Sequence, residues 1–257
     1  MGAAHDTRAF YDDLAATYDL IYGDWEGAIA RQSKALERVI RRTRGAGPLR
    51  VLDCACGIGT QLIGLAALGC EMSGCDLSPA AVARAAAECE ARGLTADLVA
   101  SDMRHLPHPD ETFDAVVCAD NALPHLLTDE DVLRALREMR RVARPGAVIL
   151  VTTRDYDTIV VDRPVTAPVQ RGGAPDRRVV TTQLWDWHPD SPVYDLTHLQ
   201  VVETSPGQWS ATSRTATYRA WTRSELSDLA QAAEMTDVRW ATTTETGFFQ
   251  PMMLGIR

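Results

Sequence analysis

The chain is organised around Val51-Leu52-Asp53-Cys54-Ala55-Cys56-Gly57-Ile58-Gly59-Thr60, an apolar run that ends in small residues and glycines. The apolar half predicts a buried strand, and the residues from Thr60 onward predict a helix. Gly57 and Gly59 lack a Cβ, so the backbone between strand and helix can bend sharply and approach a ligand closely. The helix that follows presents free N–H groups. We therefore expect a ligand-binding loop at the carboxyl end of a strand.

Strand and helix signals alternate on both sides of this loop. Helices are expected over 6–20, 28–44, 60–68, 79–92 and 129–144, and strands over 50–55, 71–76, 97–101, 113–119 and 147–153. Ser78 and Pro79 provide an N-cap and a first helical residue, and Pro145-Gly146 is expected to stop the helix before it. The alternation predicts an α/β fold, with a mostly parallel sheet and helices on both faces.

The pattern changes after Arg154. Runs rich in Val, Thr, Tyr and Trp over 179–187, 193–204 and 208–221 predict antiparallel strands. Thr222-x-x-Glu225 predicts a capped helix to about residue 233, and strands over 238–244 and 248–256 close a seven-stranded sheet. We expect a helical lid over 1–49, a core formed by 50–154 and 222–257, and a small β-rich cap over 155–221, inserted after the fifth strand.

Composition limits the possible functions. The 257 residues include 26 Lys plus Arg and 35 Asp plus Glu, a formal net charge of −9, which disfavours nucleic-acid binding. No apolar run is long enough to span a bilayer, and the acidic N-terminus is unlike a signal peptide. Six cysteines in mostly apolar runs predict reduced core thiols and a cytoplasmic protein. Cys54-x-Cys56 has no second pair at zinc-site spacing, so no metal is expected.

Asp76 ends the second predicted strand, 19 residues after Gly57. A carboxylate at this position can accept hydrogen bonds from both hydroxyls of a ribose, or can simply begin a turn and cap the next helix. The third glycine of a dinucleotide-binding fingerprint is missing after Gly59, which argues against a nicotinamide oxidoreductase. The loop is not followed by a phosphate-binding lysine of the P-loop kind. A ribose ligand without phosphate fits these observations.

The loop resembles motif I of class I S-adenosylmethionine-dependent methyltransferases, with Ala55 in place of the first glycine. This resemblance implies a Rossmann-like fold and S-adenosylmethionine as cofactor. It also implies that Asp102 and Met103 hold the adenine, although Met103 can equally fill the core. Phe113-Asp114-Ala115-Val116-Val117 looks like the fourth strand of the family, and Arg144-Pro145-Gly146 resembles its turn before the fifth.

Three further segments resemble the glycine and sarcosine N-methyltransferase group: residues 18–25, 120–126 and 154–157. The resemblance implies that N-terminal aromatic residues cover the cofactor and that Arg31 reaches its methionine carboxylate. It further implies that Arg154 binds the carboxylate of an amino-acid acceptor. Each residue also has a simpler interpretation, in which His125 caps the following helix, Arg154 pairs with Asp155 or Asp157, and Asn121 forms a turn.

The expected site falls into three groups. The cofactor-binding candidates are Tyr18, Tyr22, Arg31, Asp53, Ala55, Gly57, Gly59, Asp76, Leu77, Asp102, Met103, Ala119 and Asn121. The acceptor-binding candidates are Tyr11, Asn121, His125, Arg154, Trp185 and Trp187. The catalytic candidates are His125, Arg154 and Tyr156, with Asp155 as a further possible base.

The sequence leaves two kinds of methyl acceptor open, a heteroaromatic ring and an amino acid. Trp185 and Trp187 point to the same face of a strand, where they can stack on a flat acceptor or pack the cap. The segments at 23–32 and 52–61 resemble bacterial enzymes that methylate ring nitrogens of toxoflavin-like azapteridines. We expect a small-molecule N-methyltransferase of that heteroaromatic kind, with a glycine/sarcosine-type enzyme as the alternative and a non-catalytic S-adenosylmethionine-binding module as another class. An exposed edge strand of the cap could pair two copies into a homodimer.

Overall fold

The computed structural model describes residues 6–174 and 177–257. The first five residues of the expected lid and residues 175–176 of the expected cap lie outside this part. The helices are α1 Thr7–Leu14, α2 Trp25–Arg44, α3 Thr60–Ala67, α4 Pro79–Ala91, α5 Asp129–Val142, α6 Tyr156–Asp162, α7 Arg223–Ala232 and α8 Thr243–Thr246, with 3-10 turns at Ala15–Ile21 and Leu123–His125. The strands are β1 Arg50–Asp53, β2 Glu71–Asp76, β3 Ala96–Ala100, β4 Phe113–Cys118, β5 Ala143–Thr152, β6 Gln170–Ala174, β7 Arg177–Trp187, β8 Val193–Ser205, β9 Gln208–Arg219, β10 Thr236–Ala241 and β11 Met252–Ile256.

Seven strands form one sheet in the order β10-β11-β5-β4-β1-β2-β3. Strands β1 to β5 pair in parallel, and β11 runs antiparallel to both β5 and β10. This confirms the predicted seven-stranded, mostly parallel, Rossmann-like sheet. The strand order reverses between β1 and β4, and ligands bind at the carboxyl ends of strands beside such a switch point.

Helices bury apolar side chains on both faces of this sheet. Leu36 of α2 and Leu62 of α3 pack on one face, whereas Leu136 of α5 and Leu226 of α7 pack on the other, and all four are fully buried. Every residue of β4 is buried, as expected for a central parallel strand. All six cysteines are buried free thiols within or beside these layers. No helix in the described residues is both long and apolar enough to cross a bilayer.

A second, four-stranded antiparallel sheet has the order β6-β7-β8-β9. Its inner face is aromatic, with Trp185 stacked on Tyr194 at 4.8 Å between ring centroids and Tyr194 stacked on Tyr218 at 5.5 Å. Phe10 of α1 and Tyr156 of α6 pack into the same cluster. The N-terminal helix therefore shares a hydrophobic core with the cap sheet.

Local signals placed several helix ends correctly. The Ser78 hydroxyl accepts a hydrogen bond from the Ala81 N–H, and Pro79 is the first residue of α4. Thr222 and Glu225 form the predicted capping box of α7. These helix ends were predictable because capping is a short-range interaction between side chain and backbone.

Other boundaries differ from the prediction. The helix predicted over 6–20 is α1 followed by a 3-10 turn, and the helix expected to reach residue 144 ends at Val142. Pro145-Gly146 lies inside β5 instead of ending a helix, because Ala143 is extended and pairs with Phe113 across a register shift in β4. Helices α6 and α8 and strand β6 were not predicted, since their short sequences have no distinctive periodicity.

Candidate active site

A cleft of about 370 Å³ lies at the carboxyl ends of β1, β2 and β4. Its floor is the glycine loop after β1, where Gly57 and Gly59 have positive φ angles of 52° and 95°. A Cβ on Gly57 would lie 3.4 Å from the Tyr18 ring, so the loop approaches the aromatic lid closely. The Cys56 N–H donates to the Cys75 carbonyl at 3.0 Å, which ties the loop to β2.

Asp76 faces this cleft, and each of its carboxylate oxygens already accepts one backbone hydrogen bond. The Gly57 N–H donates to Oδ2 at 2.8 Å and the Ser78 N–H donates to Oδ1 at 2.9 Å. Burial raises the pKa of Asp76, while these backbone donors act to lower it. Each carboxylate oxygen can accept two hydrogen bonds, so each retains capacity for a ribose hydroxyl. The site thus fits the predicted ligand.

Asp102 also lines the cleft and already forms an ion pair with Arg104. Arg104, which the sequence analysis did not single out, donates to Asp102 at 2.6 Å and to Asp131 at 2.9 Å. Burial acts to raise the pKa of Asp102, but Arg104 holds it below its usual value. An adenine amino group at this carboxylate would therefore share it with Arg104. Met103 lies beside it on the cleft wall.

Three tyrosines from the N-terminal segment cover the cleft. Tyr18 stacks on Tyr22 at 6.4 Å, and Tyr11 lies 5.8 Å from Tyr18. Burial raises the pKa of all three phenols well above 10, so each remains a neutral hydroxyl. The arrangement provides an aromatic wall opposite the glycine loop.

His125 lies in the 3-10 turn after β4 and faces the cleft. Its Nε2 lies 2.9 Å from the Tyr11 hydroxyl, and its ring lies 4.0 Å from that of Tyr218. Burial lowers the pKa of His125 to about 3, so the imidazole is neutral at physiological pH. The helix that follows is capped by Thr128, not by His125, contrary to the simpler interpretation.

A second, larger cavity of about 930 Å³ separates the core from the cap, and we call it the cap cavity. One wall comes from the end of the first 3-10 turn, Ala15–Ile21, and from α2. The others come from the ends of β4 and β5, from β7 and β8, and from the loop before β11. Its lining includes Tyr22, Arg31, Asp120, Arg154, Asp155, Gln183, Trp185, His198 and Gln250. Charged side chains of both signs thus line this cavity, beside apolar ones.

Arg154 lies two residues after the end of β5 and is half-buried against the four-stranded sheet. Its guanidinium donates to the Tyr194 hydroxyl at 3.3 Å and to Gln183 Oε1 at 3.1 Å, and lies 4.7 Å from the Trp185 ring centroid. The expected alternative, a pair with Asp155 or Asp157, is not formed, because Arg223 binds both of those carboxylates. Among the described residues, the hydrogen-bond partners of the Arg154 guanidinium are therefore uncharged.

Asp120 is a candidate site residue that the sequence predictions did not include. It lines both the cleft and the cap cavity, as does Tyr22, whose hydroxyl donates to Asp120 at 2.8 Å. Asp120 and Asn121 have φ angles of 55° and 66°, in the left-handed region. The available signal was position, since Asp120 comes one residue after the predicted fourth strand.

The cleft brings together most of the predicted cofactor residues. The candidates that line it are Tyr11, Tyr18, Tyr22, Ala55, Gly57, Asp76, Leu77, Asp102, Met103, Ala119 and His125. Asp53 lies fully buried behind the loop, and burial raises its pKa to about 7. Gly59 belongs to the loop but does not line the cleft, and it is the N-cap residue of α3.

The remaining candidates lie elsewhere. Arg31 lines the cap cavity and pairs with Asp24 at 3.4 Å, and its side chain is 68% exposed. Asn121 lines neither space, and its Oδ1 accepts from the Arg154 N–H at 3.1 Å. Tyr156 is buried in the aromatic cluster, with its hydroxyl 2.8 Å from that of Tyr194. Trp185 lines the cap cavity, whereas the Trp187 indole N–H donates to the Pro164 carbonyl.

Comparison with known proteins identifies the class. Residues 51–146 match the methyltransferase domain family. The glycine/sarcosine N-methyltransferase of Aphanothece halophytica is 32% identical over 132 residues, which cover 51% of this chain and 50% of that protein. The chain thus aligns with about half the length of that curated relative.

Two solved structures share the whole fold. The sugar N-methyltransferase KedS8 from Streptoalloteichus sp ATCC 53650 superposes with a TM-score of 0.76 at 23% identity, covering 100% of this chain and 99% of KedS8. CalS10, an amino pentose methyltransferase from Micromonospora echinaspora solved with S-adenosylmethionine bound, gives 0.73 at 20% identity over 100% of both chains.

The chain therefore carries a class I S-adenosylmethionine-dependent methyltransferase domain. The glycine loop, the ordered Asp76 carboxylate and the aromatic lid fit its cofactor S-adenosylmethionine. The similarity of fold to KedS8 and CalS10 extends through the four-stranded sheet.

Proposed function

We propose that this protein transfers a methyl group from S-adenosylmethionine to a nitrogen of a small metabolite held in the cap cavity. The observation that carries the proposal is that the cleft and the cap cavity share Tyr22 and Asp120 on their walls. A methyl group delivered from the cleft would therefore meet an acceptor at this junction. Both volumes fall within the usual range for small-molecule sites, about 300–1,000 Å³.

The cofactor supplies a methyl group that its sulfonium already activates, so the protein's main task is alignment. Gly57 and Asp76 would hold the ribose, and Asp102 with Met103 would hold the adenine. Tyr18 and Tyr22 would exclude water above the loop. We assign no contact to Arg31 here, because it lines the other cavity and pairs with Asp24.

Two neutral groups in the cleft, His125 and Tyr11, are suited to hydrogen bonding with an acceptor. His125 is held neutral by burial and lies 2.9 Å from the Tyr11 hydroxyl. A neutral imidazole can accept a hydrogen bond from a nitrogen that becomes methylated, but a pKa of about 3 makes His125 a weak proton acceptor near neutral pH. Tyr156 lines neither space, so we favour His125 over Tyr156 for orienting this nitrogen.

Among acceptors, the cap cavity favours a polar amine. Arg154 presents a guanidinium with uncharged partners, which suits a carboxylate or a carbonyl oxygen. Glycine/sarcosine N-methyltransferase and the sugar N-methyltransferase KedS8 are both named for nitrogen acceptors. This supports nitrogen as the methylated atom.

A toxoflavin-like heteroaromatic acceptor is the second candidate, and Trp185 on the cavity wall favours it. Against it, Trp185 already stacks on Tyr194 with ring planes 12° apart, and Trp187 is inclined at 50° to Trp185. The two indoles therefore do not form parallel walls of a flat slot. We rank the polar amine first on this geometry.

The decisive experiment incubates the full chain with methyl-labelled S-adenosylmethionine and a panel of glycine, sarcosine, an amino sugar and azapteridines. Mass spectrometry then identifies the methylated product and the nitrogen that carries the label. We expect transfer to an amine. Tight S-adenosylmethionine binding without transfer to any acceptor would favour a non-catalytic binding module, and absence of binding would overturn the proposal.

A further inference from the structure

Asp120 occupies the junction of the two spaces. Among the described residues, only it and Tyr22 line both the cleft and the cap cavity. The Asp120 N–H donates to Thr152 Oγ1 at 2.9 Å, which fixes the backbone directly after β4. Its φ of 55° is left-handed, a region that Asp and Asn occupy more readily than most residues. The fold therefore places a carboxylate where donor and acceptor would meet.

The Asp120 carboxylate is half-buried, and its hydrogen-bond partners are uncharged. The Tyr22 hydroxyl donates to Oδ2 at 2.8 Å and the Gln250 amide donates to Oδ1 at 3.3 Å. No ion pair involves Asp120 among residues 6–174 and 177–257. Burial raises the pKa of Asp120, whereas Tyr22 and the more distant Arg154 lower it. A carboxylate that is partly removed from water and has no contacting cation is destabilised, so a ligand cation would be favoured there.

Most of the other carboxylates around the two spaces pair with an arginine. Asp102 and Asp131 bind Arg104, Asp24 binds Arg31, and Asp155 binds Arg223. Asp76 and Asp120 instead contact uncharged donors. Of these two, Asp120 is the one that lines the cap cavity, so it can meet the positive charge of an acceptor.

We propose that Asp120 binds the protonated amino group of the acceptor and selects it over a neutral hydroxyl or ring nitrogen. Before the transfer, the ammonium gives one proton to the Asp120 carboxylate, and the freed lone pair then bonds to the methyl carbon as the bond from that carbon to sulfur breaks. This inference rests on the proposed function and narrows its substrate class to amines that are cationic in solution. Arg154 lines the same cavity and also lacks a charged contact. A molecule that carries both an ammonium and a carboxylate would complement the two residues together.

The test compares ligands that differ only in this charge. The full chain, saturated with S-adenosylhomocysteine, is titrated calorimetrically with glycine against glycolate and with phenylalanine against 3-phenyllactate. Each pair keeps the carboxylate and exchanges an ammonium for a hydroxyl. We expect at least one amine to bind roughly 10- to 100-fold more tightly than its hydroxyl counterpart, as is typical of a charge-assisted hydrogen bond.

Asp120→Asn should remove that preference and leave the affinity for the hydroxy acid within about threefold. Asn tolerates the left-handed backbone, and its side-chain oxygen can still accept from Tyr22, so the variant should fold. Asp157→Asn is the matched control. It removes one carboxylate charge from α6, outside both sets of lining residues, and should keep the wild-type preference.

Several results would overturn the inference: equal binding within both pairs, no binding of either pair, or an unchanged preference in Asp120→Asn. If S-adenosylhomocysteine itself does not bind the wild type, the proposed function fails, and the ligand pairs are titrated without it. Intact S-adenosylhomocysteine affinity with no ammonium preference refutes the role of Asp120 alone. The two failures are thus distinguishable.

Discussion

The cofactor cleft and the cap cavity are built in different ways. In the cleft, Asp76 orders the glycine loop through the backbone N–H of Gly57, only 19 residues away. In the cap cavity, Arg154 is held by Gln183 and Tyr194, which lie 29 and 40 residues further along the chain. The first site depends on turns at strand ends, and the second depends on side chains from separate elements. If the proposed function is correct, substitutions around Arg154 should therefore alter acceptor binding and leave the glycine loop unchanged.

Asp76→Ala should produce the largest effect and tests the cleft alone. Removing this carboxylate leaves the Gly57 and Ser78 N–H groups without their acceptor and removes the expected ribose contacts. Calorimetric titration should give at least about 100-fold weaker S-adenosylmethionine binding. Glu71→Gln, an exposed carboxylate on the same strand, is the control and should bind normally. Normal affinity in Asp76→Ala would refute the ribose assignment.

Arg154→Ala tests the cap cavity. Loss of the guanidinium should raise the KM for the acceptor roughly 10- to 100-fold, while the Kd for S-adenosylmethionine changes by less than about threefold. Steady-state kinetics and calorimetry on the same preparation measure both values. Arg178→Ala, on the same cap sheet but 60% exposed, controls for a general loss of cap structure. Equal losses in both measurements would mean that the two sites are coupled.

His125→Gln tests how the free energy of unfolding depends on pH. The folded pKa of His125, about 3, lies below the ordinary 6.5, so the unfolded chain takes up this proton first as the pH falls. The stability that the neutral form contributes is complete above about pH 6.5 and declines towards pH 3. The pH-dependent change between pH 7 and 5 should be about 2 kcal/mol smaller in His125→Gln.

Urea unfolding at several pH values measures this difference in the free energy of unfolding. His105→Gln changes an exposed histidine and should leave the wild-type pH dependence in place. Identical pH dependence in wild type and His125→Gln would show that the buried imidazole is not held neutral by the fold.

Tyr22→Phe should give the smallest effect and tests the junction. It keeps the aromatic lid but removes the hydrogen bond to Asp120, worth about 1 kcal/mol. We expect about a fivefold loss in kcat/KM, measured in initial-rate assays. Tyr18→Phe removes a lid hydroxyl that has no bond to Asp120 in the described part, so its loss should be smaller. Equal losses would assign the effect to the lid rather than to the contact.

The sequence by itself determined the sheet and the loop. The alternation of strand and helix, the Ser78 cap and the Thr222 capping box reflect interactions within a few residues, so they could be predicted. The glycine loop and Asp76 were also predictable, because each closes a strand that the apolar pattern already placed. Most of the predicted cofactor residues accordingly line one cleft.

Only the tertiary structure decided the acceptor side. Asp120 became prominent because its left-handed backbone and its contacts with Tyr22 and Gln250 join parts of the chain 98 and 130 residues apart. The sequence predictions included Trp187 and Tyr156 among the site residues. In the structure, both side chains pack in the aromatic cluster beside the four-stranded sheet. Hydrophobic burial is non-directional, so a strand pattern does not tell which aromatic ring faces a cavity and which one fills the interior.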